Sequence, residues 1–146
     1  MPIICSHRLI LPADANHYGT LYAGSLLRLA LEAGYATAYR HVGPDANLVL
    51  RRVLNLECLR PVPVGTVVEI QGLVLHAGPA YLVTGLVGAP LSPDAGPWLE
   101  SLMGFAQVNE AGAATGFPQQ LELDALPDVA PWPRLFDKLQ KLVAIR

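Results

Sequence analysis

The stretch that decides the fold is Asp14–His41, which reads DANHYGTLYAGSLLRLALEAGYATAYRH. Its first part lies in Ala13–Leu21, where polar and small residues predict a loop. The rest is the only long stretch that has a continuous helical pattern and no proline. We expect Gly43 and Pro44 to end this helix, because glycine frees the backbone and proline cannot continue the hydrogen-bond ladder.

The predicted helix has two different sides. At helical spacing, apolar and small residues share one face, namely Leu26, Leu27, Ala30, Ala33, Gly34, Thr37, Ala38 and His41. The opposite side carries Ser25, Arg28, Glu32, Tyr35, Ala36, Tyr39 and Arg40. Since the small residues on the apolar face allow another element to approach closely, the pattern favours a central helix wrapped by a sheet.

The segments around this helix are typical of strands. Runs rich in branched and apolar residues predict strands over Ile3–Leu11, Asn47–Leu59, Thr66–Leu75, Ala80–Val87 and Trp98–Asn109. Pro61–Gly65 is predicted to bend, and Gly72 is a possible β-bulge. One helix followed by an antiparallel meander is an α+β fold.

Residues 119–146 are interpreted as an appendage to a main domain over residues 1–118. Three prolines, Pro127, Pro131 and Pro133, predict a stiff extended linker. A helix is predicted over Arg134–Ile145, with Leu135, Leu139 and Leu142 at helical spacing. We expect it to cap the sheet or a neighbouring subunit. A membrane-surface helix is the alternative, although Asp137 weakens its basic side.

Composition limits the classes of function. The 146 residues are enough for one domain, and 52% hydrophobic against 15% charged residues predicts that an oligomer buries extra surface. A net charge of −2 supplies no general attraction to nucleic acid. No signal peptide or membrane span is predicted, so we expect a cytoplasmic protein with Cys5 and Cys58 as reduced core thiols.

Candidate chemistry lies at the start of the long helix. The sequence contains no CxxC pair, HExxH, phosphate loop or GxSxG, so no metal site or cofactor is expected. A helix start offers free N–H groups that stabilise an oxyanion, and Gly24 would let a ligand approach them. The Asn16 amide and the Glu32 carboxylate then complete a set of groups suited to acyl transfer to water.

Structural roles are the alternative for the same residues. Asp14 and Asn16 are common in turns, where their side chains bond the local backbone. Glu32 follows Arg28 by four residues, the spacing of an ordinary surface ion pair on a helix.

Several motifs resemble those of the hot dog-fold acyl-CoA thioesterases. Asp14–Gly24 is similar to the family's P-x-D-x-N-x-x-G-x-x-x-G-G motif before the helix, and Ala38–His41 is similar to its helix end. Leu59–Val68 resembles the family's proline–valine corner, and Gly104–Val108 resembles its last strand.

The resemblance implies a fold, a reaction and an assembly. A long central helix would be wrapped by a five- or six-stranded antiparallel sheet, and subunits would join edge to edge as a homodimer or a higher homo-oligomer. The substrate would be acyl-CoA, hydrolysed with Asn16, Gly24 and Glu32 as catalytic residues. Leu27 and Leu31 would line the acyl site, and Arg60 would meet the CoA phosphates.

One departure leaves a second function open. The family's usual acid falls at Leu31 in this chain, and the nearest acid is Glu32. A shift of one residue turns a helical side chain by about 100°. One branch of the family is similar to Gly24–Ala38, including Arg28 and Glu32, so Glu32 is the acid that this resemblance implies. The alternative is a non-catalytic acyl or acyl-CoA binding protein on the same scaffold.

Overall fold

The computed structural model describes residues 3–144. Within them, a five-stranded antiparallel sheet has the strand order β1-β3-β4-β5-β2. The strands are β1 (Ile4–Leu9), β2 (Leu48–Cys58), β3 (Val67–Ala77), β4 (Tyr81–Gly88) and β5 (Leu99–Gln107). The long helix is α1 (Ala23–Val42), and the C-terminal helix is α2 (Trp132–Ala144). The predicted α+β fold, with a long helix, a five-stranded sheet and a C-terminal helix, is confirmed.

Helix α1 packs on one face of the sheet, against a core of apolar side chains from the strands and loops. Its buried residues are Leu26, Leu29, Ala30, Gly34, Thr37, Ala38 and Val42. A β-carbon added at Gly34 would lie 3.0 Å from the Met103 sulfur, so glycine is what allows this close packing. The predicted face is correct except at Leu27, which is 40% exposed. The helix is rotated so that Leu29, which lies outside the predicted apolar face, is buried.

Gly72 has a different role from the predicted one. It pairs in regular register with Ile4 on one side and Leu86 on the other, so the possible bulge at this position is wrong. The irregularity of β3 lies between Val74 and His76. Gly72 is required because the Thr37 side chain of α1 occupies the space that a β-carbon would fill.

Helix α2 covers the opposite face of the sheet in its own chain. Trp132, Leu135 and Leu139 are buried there among side chains of β3, β4 and β5. The predicted helix thus begins two residues earlier than Arg134, and its predicted end at Ile145 lies outside the described residues. The helix was expected to cap either the sheet or a neighbouring subunit, and the structure shows it on the sheet.

Two ion pairs join α2 to the sheet. The Arg134 guanidinium donates two hydrogen bonds to the carboxylate of Glu100, whose side chain is 1% exposed. Lys138 Nζ donates to Glu57 Oε1 over 2.8 Å. Glu57 and Glu100 are direct partners across β2 and β5, so both anchors lie on one row of the sheet.

The cysteines are free, as expected, but their placement in the core is wrong. Cys5 lies on β1 and Cys58 lies on β2, and both are exposed. These strands form the two edges of the sheet, where only one neighbouring strand covers each residue.

Candidate active site

Asn16 organises the loop that leads into α1. Its Oδ1 accepts hydrogen bonds from the backbone N–H of Tyr18 at 2.9 Å and of Thr20 at 3.1 Å. Its Nδ2 donates to Thr20 Oγ1 at 3.1 Å. Gly19 lies between these residues with φ +75°, a conformation that favours glycine. The turn-forming role considered for Asn16 is therefore present in the structure, and it fixes the position of the amide.

The same loop is fastened to the corner between β2 and β3. Leu21 N–H donates to Val62 O at 2.8 Å, and Val64 N–H donates to Gly19 O at 3.1 Å. Val62 is fully buried, so this corner is a fixed support. The proline–valine corner and the Asn16 loop, which are far apart in sequence, thus form one rigid wall beside the helix start.

Asp14 is a buried carboxylate at the base of the loop. It is 5% exposed, and its Oδ2 accepts the Leu11 N–H at 2.9 Å. Its Oδ1 lies 3.6 Å from Nη2 of Arg28 on α1. The turn role considered for Asp14 is present in its bond to the Leu11 N–H. Its ion pair with Arg28 was not predicted, because helical spacing alone pairs Arg28 with Glu32.

The start of α1 offers unpaired donors. The residue before the helix is Tyr22, and its side chain makes no capping hydrogen bond. The first N–H groups of a helix have no partner within the helix, and they lie at the positive end of the helix dipole. Gly24 is exposed there, but a β-carbon added to it would lie 2.6 Å from Cε2 of the Tyr22 ring. The predicted open approach to Gly24 is therefore bordered by an aromatic ring.

Glu32 faces another part of the molecule. Its carboxylate accepts a hydrogen bond from Arg8 Nη1 of β1 at 3.3 Å, and its side chain is 56% exposed. A cleft of about 220 Å³ lies beneath this ion pair, between α1 and the edge strand β1. Asn16 and Glu32 make their hydrogen bonds to different elements, so the single chain does not bring the two together. The expected surface pair of Glu32 with Arg28 is replaced by pairs with Arg8 and Asp14.

The three residues proposed for substrate binding lie outside the buried core. Leu27 is exposed on α1, whereas Leu31 is half-buried and packs against the core beneath the helix. Tyr35 continues this side of α1 and makes an edge-on contact with Phe105 of β5, with ring centroids 6.1 Å apart. Arg60 is exposed, and its guanidinium lies beside Gly96.

Residues 3–144 were also compared with what a metal site and a membrane-spanning helix require. No group of three or more His, Cys, Asp and Glu side chains there is arranged to hold a metal ion. Neither helix in this part of the chain combines the length and apolar character needed to cross a bilayer.

Comparison with known families gives a match to part of the chain. The family model described as "Thioesterase superfamily" matches residues 18–86, which include the end of the Asn16 loop, all of α1 and the proline–valine corner. The matched part is 69 of the 146 residues, a little under half of the chain. The matched segment contains Gly24, Leu31 and Glu32, so the family relation covers the helix on which the candidate chemistry lies.

Solved structures share the fold of this chain over nearly its whole length. A hexameric acyl-CoA thioesterase superimposes on 98% of this chain and 89% of its own, with a TM-score of 0.77 and 24% identity. An acyl-CoA hydrolase from Staphylococcus aureus, in complex with butyryl coenzyme A and coenzyme A, covers 99% of this chain and 85% of its own, with a TM-score of 0.76 and 20% identity. Both support the hot dog arrangement of helix and sheet.

Two curated proteins share sequence with this chain. The mitochondrial acyl-coenzyme A thioesterase 4 of Humulus lupulus is 32% identical over 65 residues, which are 44% of this chain and 12% of that protein. A V-type proton ATPase 16 kDa proteolipid subunit c from Nephrops norvegicus is 31% identical over 133 residues, 86% of this chain and 77% of that protein. The family model agrees with the first of these two relatives, and the solved acyl-CoA thioesterases share the fold.

Proposed function

We propose that this protein hydrolyses acyl-CoA thioesters to a free acid and CoA. The observation that carries the proposal is an uncapped helix start held rigidly beside a fixed asparagine amide, on a thioesterase scaffold. The Staphylococcus aureus hydrolase, which has the same fold, binds butyryl coenzyme A and coenzyme A. The narrow, planar thioester group suits a site built from backbone donors.

The reaction needs charge stabilisation where the carbonyl oxygen becomes negative. We assign this role to the N–H of Gly24, because it lies in the first turn of α1 at the positive end of the helix dipole. Asn16 would orient the attacking water or the thioester. The water oxygen bonds to the carbonyl carbon, the carbon–sulfur bond breaks, and the CoA sulfur takes up the proton that the water has lost.

Glu32 is our proposal for the base that removes the proton from water. Its carboxylate is bound to Arg8 on the β1 side of α1 and lies about 12 Å of helix rise beyond Gly24, so it would act at a site shared with a second subunit. The family's usual acid position, Leu31, lies one residue earlier and carries no titratable group. Glu32 therefore has to be tested separately from Asn16.

The test is CoA thiol release from a panel of acyl-CoAs by the purified protein. Asn16→Ala should lower kcat about a hundredfold, the usual effect of removing one polar group that stabilises the transition state. Glu32→Gln should lower kcat to a similar extent if Glu32 is the base. Thiol release by neither the wild type nor any variant would overturn the proposal, and ligand binding without turnover would favour the non-catalytic alternative.

The chain offers matched controls for both variants. Asn109 makes the same kind of turn elsewhere, since its Oδ1 accepts the N–H groups of Ala111 and Ala113 at 3.0 Å each. Glu69 makes a similar contact with the edge strand, since its Oε1 lies 3.0 Å from His7 Nε2 of β1. Asn109→Ala and Glu69→Gln should leave kcat unchanged. If Glu32→Gln also leaves it unchanged, Glu32 has no part in the mechanism.

Assembly and location follow from the same reasoning. The hexameric acyl-CoA thioesterase with this fold is a homo-oligomer, and we propose a homo-oligomer for this chain. Exposed free thiols at Cys5 and Cys58 suit a reducing compartment, which supports the proposed cytoplasmic location.

A further inference from the structure

Tyr22 lies on Gly24 in a way that the protein core does not require. A β-carbon built on Gly24 would approach Cε2, Cδ2 and Cζ of the Tyr22 ring to 2.6, 3.2 and 3.5 Å. Real β-carbons do not come this close to another atom, so only glycine lets the ring lie here. Both residues are exposed, and Tyr22 keeps 55% of its surface in solvent. The contact therefore shapes the outer surface at the helix start.

The Tyr22 backbone is fixed on both sides. Its N–H donates to Asp14 O at 2.8 Å, and its carbonyl accepts the N–H of Leu26 at 2.8 Å. Its conformation is extended, with φ −73° and ψ 145°. Successive side chains of extended backbone point in opposite directions, and Leu21 is the one that points into the core. The Tyr22 ring must consequently lie outside, next to the free N–H groups of the first turn.

An aromatic ring beside unpaired backbone donors restricts what can reach them. The ring removes water from one side, which strengthens a hydrogen bond made to an incoming oxygen. It also narrows the approach, so that a flat group can pass where a bulky one cannot. We propose that Tyr22 is a positioning residue that forms one wall of the thioester site, held in place because residue 24 is glycine.

This inference rests on the proposed hydrolysis, and it adds how the site admits the flat thioester group. The ring acts at the thioester end, so its effect should be equal for short and long acyl chains. The hydroxyl group makes no contact that the inference uses. The aromatic ring, and not the phenol, is the part that matters.

The experiment compares Tyr22→Ala, Tyr22→Phe, Gly24→Ala and the double variant Tyr22→Ala with Gly24→Ala. Two quantities are measured on the full chain: kcat and KM for acyl-CoAs of different length, and the Kd of a non-hydrolysable thioether analogue of acyl-CoA by calorimetry. Tyr18→Ala is the matched control, because Tyr18 is an even more exposed tyrosine in the same loop. Melting temperatures check the fold and should move by no more than about 3 °C, since these sites are exposed.

We expect Tyr22→Ala to lower kcat about tenfold at every chain length, with a smaller change in KM, because misplacing the substrate slows the chemical step. Tyr22→Phe should restore most of this loss. Gly24→Ala should resemble Tyr22→Ala, because the added β-carbon displaces the ring. The double variant should lose about tenfold, not the hundredfold expected of independent effects.

The other outcomes overturn the inference, the proposed hydrolysis or both. If the losses in kcat multiply in the double variant, Gly24 allows the substrate to approach directly and Tyr22 is not coupled to it. A loss that grows with chain length would assign Tyr22 to the acyl site. Unchanged kcat and Kd in Tyr22→Ala would overturn the inference while hydrolysis stands. If the protein shows no turnover but binds the thioether, and Tyr22→Ala weakens that binding, the proposed hydrolysis alone is overturned. If the protein neither binds the thioether nor turns over acyl-CoA, both are overturned.

Discussion

The Asp14 side chain stabilises the loop that leads into the candidate site. Its buried carboxylate is the partner of the Leu11 N–H, and removing it leaves that donor unsatisfied. We expect Asp14→Ala to lower the free energy of unfolding by about 2–3 kcal/mol. Arg28→Ala should cost less than about 1 kcal/mol, because Arg28 lies 3.6 Å from Asp14 without a hydrogen bond and the carboxylate keeps the Leu11 N–H. Urea denaturation of both variants measures the difference, and equal losses would contradict the role of the Leu11 hydrogen bond.

At the residue scale, short-range patterns predicted more than contacts between distant elements. The turn chemistry of Asn16 could be read from the sequence, because its partners Tyr18 and Thr20 are two and four residues away. The partners of Arg8 and Arg28 could not, since they depend on how the loop and β1 lie against α1. The same holds for Gly24, whose neighbour in space is known only once the Tyr22 ring has been placed.

At the scale of elements, α2 depends on one strong anchor and one weak one. Arg134→Met leaves the Glu100 carboxylate buried without its partner, and this should cost about 3 kcal/mol or more. Lys138→Met should cost less than about 1 kcal/mol, because the Lys138–Glu57 pair is partly solvated. Replacing both Glu100 and Arg134 by leucine should recover most of the loss. Urea denaturation followed by tryptophan fluorescence checks the order, which similar losses in Arg134→Met and Lys138→Met would contradict.

The weaker anchor should respond to acid. The hydrogen bond and charge of Lys138 lower the pKa of Glu57 below its ordinary value of 4.5. A carboxyl group whose pKa is lowered by folding stabilises the protein above its unfolded-state pKa, and this contribution disappears as the pH falls through the folded-state pKa. The small difference in unfolding free energy between wild type and Lys138→Met should therefore be present at pH 7 and shrink as the pH falls below 4.5. A difference that stays constant would show that Glu57 does not carry it.

Element boundaries illustrate what periodicity can and cannot predict. Helix α1 was recognised because twenty residues, Ala23–Val42, hold one face against the sheet. The rotation that exposes Leu27 and buries Leu29 follows from tertiary packing around Gly34 and Thr37, which the helical pattern does not specify. The first turn of α2, at Trp132, was missed because Pro131 and Pro133 were interpreted as part of an extended linker.

For the whole molecule, the two edges of the sheet differ in what they offer another subunit. Strand β1 has six residues, and the exposed ones at its centre are Cys5, Ser6 and His7. Strand β2 has eleven residues, and it exposes Val49, Leu50 and Val53 in its first half. An uncovered edge with unpaired backbone groups and apolar side chains is a template for pairing with another chain. We therefore expect subunits to join through β2.

Charge placed on this edge tests the assembly. Leu50→Lys and Val53→Lys, singly and together, should shift the protein towards its 15.6 kDa monomer, because an unpaired lysine in a closed interface has to be desolvated. Val67→Lys is the control, since Val67 is an exposed apolar residue at the start of β3, beside the β1 edge. Light scattering at several protein concentrations distinguishes the states. If Val67→Lys dissociates the oligomer and the two β2 variants do not, the interface lies at the opposite edge, on the side of α1 where Glu32 meets Arg8.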